Sequence, residues 1–319
     1  MHRGPNTVRN EKPDRHLKET FRVNYAQNQL ISMTSKLFLC FLSWLSLAIW
    51  TCSPSSNHNE FNKWLVFEHD GKERRAIVHD PATRETKRPL ILALHGYGGQ
   101  AEDLRYATEM DSLADLHGFV ICYPQGTLDA TGMPHWNADF EWTNVDDLGY
   151  FERLIDRLIS THGVDPRRVY CCGFSNGGYM SYALACHMPD QIRALGSVAG
   201  IMSPGTHSKC AAQQQVPSIQ FSGLRDSLIP YTDDVPYEQF AGSMNTPELV
   251  AWIGERLSTA STENDILTNF NPLWGRVEIE THRNSYGEAV LQHITYENGK
   301  HTWFEGTSEM LFDFFRAQD

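Results

Sequence analysis

From about residue 90 onward, short apolar runs alternate with segments that have the spacing of amphipathic helices. The runs include Leu90–Gly96, Phe119–Pro124 and Pro217–Gly223. Short β-rich runs separated by amphipathic helices are typical of a mostly parallel sheet covered by helices on both faces. The sequence therefore predicts an α/β fold whose reactive groups lie in loops at the carboxyl ends of the strands.

Other segments complete this prediction. Two strands joined by Asp70-Gly71, Lys63–His69 and Glu73–His79, predict an opening hairpin. The remaining predicted elements are, in chain order, a helix near Ala101–Leu116, a helix at Leu148–Ser160, a strand at Arg168–Phe174, a helix at Gly177–Cys186, a strand at Ala194–Gly200, a helix at Pro247–Leu257, a pair of strands near Arg276–Tyr296 and a closing helix that ends at Phe315.

Charge separates the first residues from the rest of the chain. The formal net charge is −12 at pH 7, but residues 1–51 are net basic, so the remainder is more acidic than the total indicates. An acidic body repels nucleic acid and anionic lipid. We therefore expect neither as a partner.

A candidate export signal lies near the N-terminus. Lys36 precedes the uninterrupted apolar run Leu37–Trp50, and a small, polar segment follows it, which is the order of a signal peptide. The run is shorter than the ~20 residues that a membrane-spanning helix needs. Cys52 lies two residues after the end of this apolar run and resembles the lipid-accepting cysteine of a bacterial lipoprotein. Lipidation at Cys52, which would be the chain's one membrane contact, and simple cleavage both stay open.

The signal also bears on the domain organisation. Because a signal begins at the N-terminus and residues 1–32 are polar, we hypothesise that the true start is Met33 rather than Met1. We expect an extension and signal segment over 1–52, a polar spacer over 53–60 and a single catalytic domain over 61–319. The expected location is secreted, or periplasmic or cell-surface as a lipoprotein.

Seven cysteines occur, of which Cys40 lies in the signal and Cys52 at its edge. Cys122, Cys171 and Cys172 fall in predicted buried strands, which leaves Cys186 and Cys210 as the candidate disulfide once the chain has been exported. The alternative, that all five of these are small buried hydrophobes, stays open.

The motif Gly-Phe-Ser-Asn-Gly, with its serine at Ser175, lies where a predicted strand turns into a predicted helix. That context is the one in which G-x-S-x-G forms a nucleophile elbow. Strand and helix come close together there, so side chains at Gly173 and Gly177 would collide. Ser175 would then project above the sheet at a helix N-terminus, which favours a developing oxyanion.

A serine hydroxyl needs a base and an orienting acid, in the chain order Ser, Asp or Glu, His. His301 falls in a loop between the last predicted strand and the closing helix, whereas His293 lies inside a strand and His282 before a hairpin turn. Asp226 lies just beyond the strand Pro217–Gly223, three residues after Gly223. The weaker candidates for the acid are Asp190, Asp233 and Asp234. We therefore predict a triad of Ser175, Asp226 and His301.

A tetrahedral intermediate also needs hydrogen-bond donors. One would be the amide of Asn176, directly after the nucleophile. The other is expected from the glycine-rich loop HGYGG after the strand at Leu90–Gly96, with the amide of Tyr97 as the choice and that of Gly98 as the alternative. His95 is expected to be a structural loop residue.

Five stretches, in this order over Leu90–Gly306, resemble the secreted esterases grouped as polyhydroxybutyrate depolymerase-like proteins, together with feruloyl and acetylxylan esterases of carbohydrate esterase family one. They are LHGYGGQAEDL, VDDLGYFERLIDRL, VYCCGFSNGGYMSYALAC, SGLRDSLIPY and KHTWFEG. The resemblance implies an α/β-hydrolase fold, the triad above and an oxyanion site at the His95–Gly98 loop with Asn176. It also supports the Cys186–Cys210 pair.

The chain departs from that family at three points. The family's loop usually reads Gly-His-Thr-Trp-Pro, whereas here Lys300 replaces the glycine and Phe304 the proline. We expect the rim near His301 to differ in shape and charge. A cysteine that is common after the helix corresponding to ELVAWIGERL is also missing.

Four aromatic residues fall near carboxyl ends of predicted strands or beside the triad, as expected of a cleft that stacks against a sugar, a phenolic ring or a polyester chain. They are Tyr97, Trp142, Tyr179 and Trp303. The alternative, that these rings pack in the core, stays open. Asp146 and Asp147 are expected to cap the helix that follows them.

The sequence has no zinc-ligand spacing, P-loop or G-x-G-x-x-G, so we expect an enzyme without a metal or cofactor.

Together these features predict a secreted or lipid-anchored serine esterase. It would act through an acyl-enzyme on an oligomeric or polymeric ester substrate. Feruloyl, acetyl and hydroxyalkanoate esters are not distinguished, because acyl selectivity depends on pocket shape. The alternatives are a serine peptidase of the same fold and a catalytically silent polysaccharide-binding module.

Overall fold

The computed structural model describes residues 64–81, 87–210, 216–268 and 270–319, which fall within one compact unit, His58–Asp319. The predicted signal, the start at Met33 and the anchor at Cys52 lie outside the described residues. Within the described ranges, no helix has both the length and the apolar character needed to cross a bilayer.

Strands and helices alternate along most of this unit. The strands are β1 (Trp64–His69), β2 (Lys72–His79), β3 (Arg88–Leu94), β4 (Val120–Pro124), β5 (Thr127–Leu128), β6 (Pro134–His135), β7 (Val164–Phe174), β8 (Ile192–Val198), β9 (Ser218–Gly223), β10 (Ser261–Leu267), β11 (Val277–Arg283) and β12 (Ala289–Tyr296). The helices are α1 (Ala101–Thr108), α2 (Met110–His117), α3 (Asp147–His162), α4 (Asn176–His187), α5 (Pro204–Lys209), α6 (Thr246–Arg256) and α7 (Thr307–Arg316), with 3-10 turns at Glu238–Phe240 and Pro272–Trp274.

Ten strands form one sheet in the order β1-β2-β4-β3-β7-β8-β9-β12-β11-β10. The central neighbours from β4 through β3, β7, β8 and β9 to β12 are parallel, and antiparallel strands flank them on both edges. Helices cover both faces: one apolar cluster joins the sheet to α3, α4 and α6, and a second joins it to α1, α2 and α7. The predicted α/β class with a mostly parallel sheet is confirmed.

α4 lies at the centre of the first layer. From Asn176 to Cys186 every residue of this helix is buried, which is the pattern of a helix enclosed on all sides. Because β7 is one of the two middle strands among the six parallel ones, the turn between β7 and α4 lies between a central strand and a fully buried helix. Ser175 occupies that turn.

Several elements differ from the sequence prediction, and β5, β6 and the short helix α5 are among those not predicted. The single helix predicted near Ala101–Leu116 is divided at Glu109, whose left-handed backbone (φ 49°) redirects the chain. The change of direction lets Leu104 of α1 and Met110 of α2 enter the same apolar cluster. The strand β10 was not predicted, because six of its seven residues are exposed and polar side chains dominate it.

The predicted disulfide and the predicted burial of three cysteines are confirmed. Cys186 at the end of α4 and Cys210 after α5 form a disulfide, whereas Cys122, Cys171 and Cys172 are free and buried.

Candidate active site

Ser175 forms the turn between β7 and α4 with a backbone that non-glycine residues rarely adopt. Its φ is 52° and its ψ is −118°, a strained conformation of the kind that clusters at functional sites. Two backbone hydrogen bonds stabilise this conformation. The Ser175 amide donates to the Val198 carbonyl at 2.8 Å, and the Tyr179 amide donates to the Ser175 carbonyl at 3.1 Å.

The two glycines of the motif are required by this close approach. A Cβ at Gly173 would lie 2.3 Å from the backbone of Gly177, and a Cβ at Gly177 would lie 2.2 Å from the Leu94 carbonyl oxygen. These separations are well inside van der Waals contact, so any larger residue would force β7, β3 and α4 apart. The predicted reason for the glycines is therefore confirmed by the distances.

His301 and Asp226 form a hydrogen-bonded pair. His301 Nδ1 lies 2.7 Å from Asp226 Oδ2, and the two side chains are 13% and 2% exposed. An ionised carboxylate can only accept, so the proton of this bond is on Nδ1 and Nε2 is left as the basic nitrogen. The His301 ring lies 4.9 Å from the ring of Phe174, the residue directly before Ser175.

The loops that carry this pair are fixed to each other by backbone hydrogen bonds. Asp226 Oδ1 accepts from the amides of Leu228 and Ile229 at 2.8 and 2.9 Å, which holds the carboxylate in a tight turn. The Arg225 amide donates to the Gly299 carbonyl at 2.8 Å. Gly223 permits this approach, because a Cβ there would lie 2.4 Å from the Gly299 carbonyl oxygen.

The two predicted oxyanion donors differ in how their amides are placed. Asn176 is the first residue of α4, where amides have no partner within the helix and the dipole favours negative charge. In the HGYGG loop, the Gly98 amide donates to the Pro134 carbonyl at 2.8 Å and the Gly99 amide to the Gly96 carbonyl at 3.0 Å. These bonds occupy the alternative donor, Gly98, and favour Tyr97.

His95 supports that loop from inside. It is 1% exposed, its Nε2 accepts from the Gly126 amide at 2.9 Å, and its Nδ1 therefore donates to the Gly96 carbonyl at 2.7 Å. Burial lowers the pKa of His95 to about 4, which keeps the ring neutral at physiological pH. The interactions fit the structural role predicted for His95.

Trp136 was not predicted, yet it links both sides of the candidate oxyanion site. The Asn176 side chain accepts from the Trp136 amide at 2.8 Å and donates to the Trp136 carbonyl at 3.0 Å. The Trp136 indole N–H donates to the His95 carbonyl at 2.9 Å. These contacts join distant parts of the chain, and no local pattern in the sequence marks them.

The predicted aromatic residues occupy different environments. Trp142 is 37% exposed, and its indole N–H donates to the Gln239 carbonyl at 2.9 Å. Tyr179 is fully buried and packs against the rings of Phe140 and Phe240, which is a core position. Trp303 is half-buried, packs against the apolar cluster around α7 and donates to Ser308 Oγ at 3.2 Å.

Four further residues singled out in the sequence lie near the site or at the start of α3. Lys300 is exposed beside His301, whereas Phe304 is 2% exposed and stacks on Tyr296 at 4.2 Å, so it fills the core behind the loop rather than its rim. Asp146 caps α3, as predicted, by accepting from the Gly149 amide. Asp147 instead forms a buried ion pair with Arg74 at 2.6 Å.

Comparison with known proteins places the chain in a family. A profile of the family described as esterase PHB depolymerase matches residues 75–235, half of the chain. The bifunctional acetylxylan esterase/xylanase XynS20E of Neocallimastix patriciarum is 31% identical over 50% of this chain and 22% of its own length. Feruloyl esterase B of Piromyces equi is 28% identical over 76% of this chain and 45% of its own length. The chain thus spans less than half of either relative.

Among solved structures, an acetyl xylan esterase from Aspergillus awamori superposes with a TM-score of 0.53 at 17% identity, covering 76% of this chain and 94% of that one. At this identity the likeness concerns the fold, and it confirms the expected α/β-hydrolase architecture. The profile match rests on the segment that carries the HGYGG loop, the nucleophile elbow and Asp226. The chain belongs to the esterase PHB depolymerase family.

Proposed function

We propose that the protein is a serine esterase that hydrolyses carboxylic esters through an acyl-enzyme, with Ser175 as nucleophile, His301 as base and Asp226 as the orienting acid. The observation that carries the proposal is the 2.7 Å hydrogen bond from His301 Nδ1 to the buried Asp226 carboxylate, beside a strained serine at a nucleophile elbow. Other histidines also pair with a carboxylate, such as His187 with Asp139 at 2.7 Å, so the His301–Asp226 pair supports the proposal because it lies at the nucleophile elbow, where a serine needs a base that an acid orients.

The proposed mechanism assigns one step to each of these groups. Ser175 Oγ attacks the ester carbonyl while His301 Nε2 takes the hydroxyl proton, and Asp226 stabilises the resulting imidazolium. The carbonyl oxygen becomes an oxyanion that accepts from the amides of Tyr97 and Asn176. His301 then returns the proton to the leaving alcohol as the C–O bond breaks. Water, deprotonated by His301, attacks the acyl-enzyme, and His301 returns this proton to Ser175 Oγ as the bond to the acyl group breaks and the acid is released.

The names of the relatives support acetylated xylan, a feruloyl ester or polyhydroxybutyrate as the kind of substrate, and we propose an ester of polymeric origin. The half-exposed ring of Trp142 near Tyr97 offers a surface for stacking against such a polymer.

Secretion is also part of the proposal. The apolar run Leu37–Trp50 supports it, and so does the Cys186–Cys210 disulfide, because disulfides persist in oxidising compartments.

Initial rates of hydrolysis on methyl ferulate, acetylated xylan and hydroxybutyrate oligomers test the proposal. We expect the wild-type chain to hydrolyse at least one of them and Ser175→Ala to lose turnover while its melting temperature is retained. Ser285→Ala, at an exposed serine in the β11–β12 turn, is the matched control and should keep the wild-type rate. Failure on all three esters, combined with cleavage of peptides, would favour the peptidase. Failure on esters and peptides alike would favour the silent binding module.

A further inference from the structure

The small hairpin formed by β5 and β6 contacts the loop that carries the proposed oxyanion donor Tyr97. The Tyr97 hydroxyl donates to Asp129 Oδ2 at 2.5 Å, and the Gly98 amide donates to the Pro134 carbonyl at 2.8 Å. Asp129 lies between the two strands of the hairpin and Pro134 begins β6. One bond therefore holds the side chain of Tyr97, and the other holds the backbone of the next residue.

Asp129 uses its two carboxylate oxygens for different tasks. Oδ1 accepts from the Thr131 amide, the Thr131 hydroxyl and the Met133 amide at 2.7 to 3.0 Å, which closes the hairpin turn. Oδ2 is thereby aimed at Tyr97. The hydrogen bond from Tyr97 lowers the pKa of Asp129, which favours the ionised, accepting form. The tyrosine thus donates to a carboxylate that is itself fixed.

The ring of Tyr97 is also held on its sides. It makes edge contacts with Trp142 and Phe240, each with 6.3 Å between ring centroids. The hydroxyl contact with Asp129 fixes the far end of the same side chain. Rotation of this side chain would break all three contacts.

Such a tether matters because the backbone around Tyr97 is unusually permissive. Tyr97 stands between Gly96 and Gly98, and Gly99 follows. Gly98 has a φ of 74°, and glycine can adopt more combinations of φ and ψ than any other residue. A loop of this composition does not fix the direction of an amide by itself.

We propose that Asp129 is a positioning residue for ester hydrolysis: through the Tyr97 hydroxyl it fixes the direction of the Tyr97 amide toward the oxyanion. This inference rests on the proposed function. The same chain segment ends in Trp136, whose backbone holds the Asn176 side chain. Residues 127–136 therefore form hydrogen bonds with both residues whose amides are the proposed donors, Tyr97 and Asn176. In this way they fix the distance between the two amides.

Tyr97→Phe removes only the hydroxyl. We expect kcat on p-nitrophenyl acetate to fall on the order of tenfold, less than the 10²–10³-fold typical of losing an oxyanion donor outright. KM and the melting temperature should be unchanged, and affinity for phenylboronic acid, which forms a tetrahedral adduct with a reactive serine, should fall by the same factor as kcat. The matched control is Tyr286→Phe, at an exposed tyrosine in the β11–β12 turn, which should leave all these values as in the wild type.

Asp129→Asn, alone and combined with Tyr97→Phe, completes a double-mutant cycle, because asparagine keeps the Oδ1 acceptor that closes the hairpin turn and removes the carboxylate oxygen that Tyr97 contacts. We expect Asp129→Asn to lower kcat in the wild-type background and to cost little more in the Tyr97→Phe background. An unchanged kcat in Tyr97→Phe, a change confined to KM, or a lower kcat without weaker phenylboronic acid binding would each overturn the inference. Failure of the proposed function itself is a separate result, since the wild type would then neither hydrolyse the ester nor bind the boronic acid.

Discussion

Adding a single methyl group at Gly177 tests the geometry of the elbow most sharply. Gly177 lies in the first turn of α4, and a Cβ there would be 2.2 Å from the Leu94 carbonyl oxygen and 2.7 Å from that of His95. Ordinary contact begins at 3.4 Å. Gly177→Ala therefore requires α4 and the end of β3 to separate by roughly 1 Å, and overpacking of this kind costs about 1–3 kcal/mol of unfolding free energy.

The same shift acts on catalysis. Asn176 directly precedes Gly177, and Tyr97 follows His95 by two residues, so separating α4 from β3 also separates the two proposed oxyanion donors. A misplacement of about 1 Å in an active site can cost on the order of 10²-fold in rate. We expect kcat/KM of Gly177→Ala to fall about a hundredfold, together with the loss of stability.

Gly254→Ala is the matched control. Gly254 lies within α6, and the nearest atom to an added Cβ is Thr259 Oγ1 at 3.5 Å, so the methyl group fits. Alanine is favoured over glycine in a helix by up to about 1 kcal/mol, and this variant should be equally or more stable and fully active. The assays are initial rates on p-nitrophenyl acetate and urea unfolding. Wild-type activity and stability in Gly177→Ala would refute the reasoning.

Three further predictions concern stability, each measured by urea unfolding. Asp147→Ala should cost about 3–5 kcal/mol, because it leaves the Arg74 guanidinium buried and unpaired; a loss below 1 kcal/mol would contradict this. Replacing Cys186 and Cys210 by alanine should cost about 3 kcal/mol through the entropy of the unfolded loop, and a reductant should abolish the difference from the wild type. Burial lowers the pKa of His293 in the folded protein from 6.5 to about 4. Between pH 6.5 and pH 4 the unfolded chain therefore binds a proton at this histidine that the folded protein does not bind, and the free energy of unfolding should fall as the pH is lowered. His293→Asn should flatten that fall, and an unchanged slope would argue against it.

The central part of the fold follows from local patterns in the sequence. The alternation of apolar runs and helical segments is sufficient to predict central parallel strands such as β3 and β4, because these are buried on both faces and their residues are correspondingly apolar. The nucleophile elbow is also predicted from a short motif, because glycines two residues before and two residues after the serine indicate that the backbone there leaves no room for a side chain. β10 has no such signal: it is an edge strand whose residues are exposed, so its pairing with β11 depends on the neighbouring strand.

The residues around the candidate site were harder to predict for a related reason. Trp136 and Asp129 act through hydrogen bonds to residues far away in the chain, and nothing in their immediate neighbours indicates these partners. Tyr179 illustrates the opposite error. Its position four residues after Ser175 placed it near the site, but helical geometry turns the ring into the core against Phe140 and Phe240.

The most direct measurement of the central claim is covalent labelling of the full-length protein with a fluorophosphonate, followed by mass mapping of its peptides. The wild type should carry one adduct per chain, on the peptide that contains Ser175. His301→Ala should label at least 10²-fold more slowly, because the base that activates the hydroxyl is gone. An unlabelled Ser175, or an adduct at another residue that forms equally fast in His301→Ala, would contradict the account.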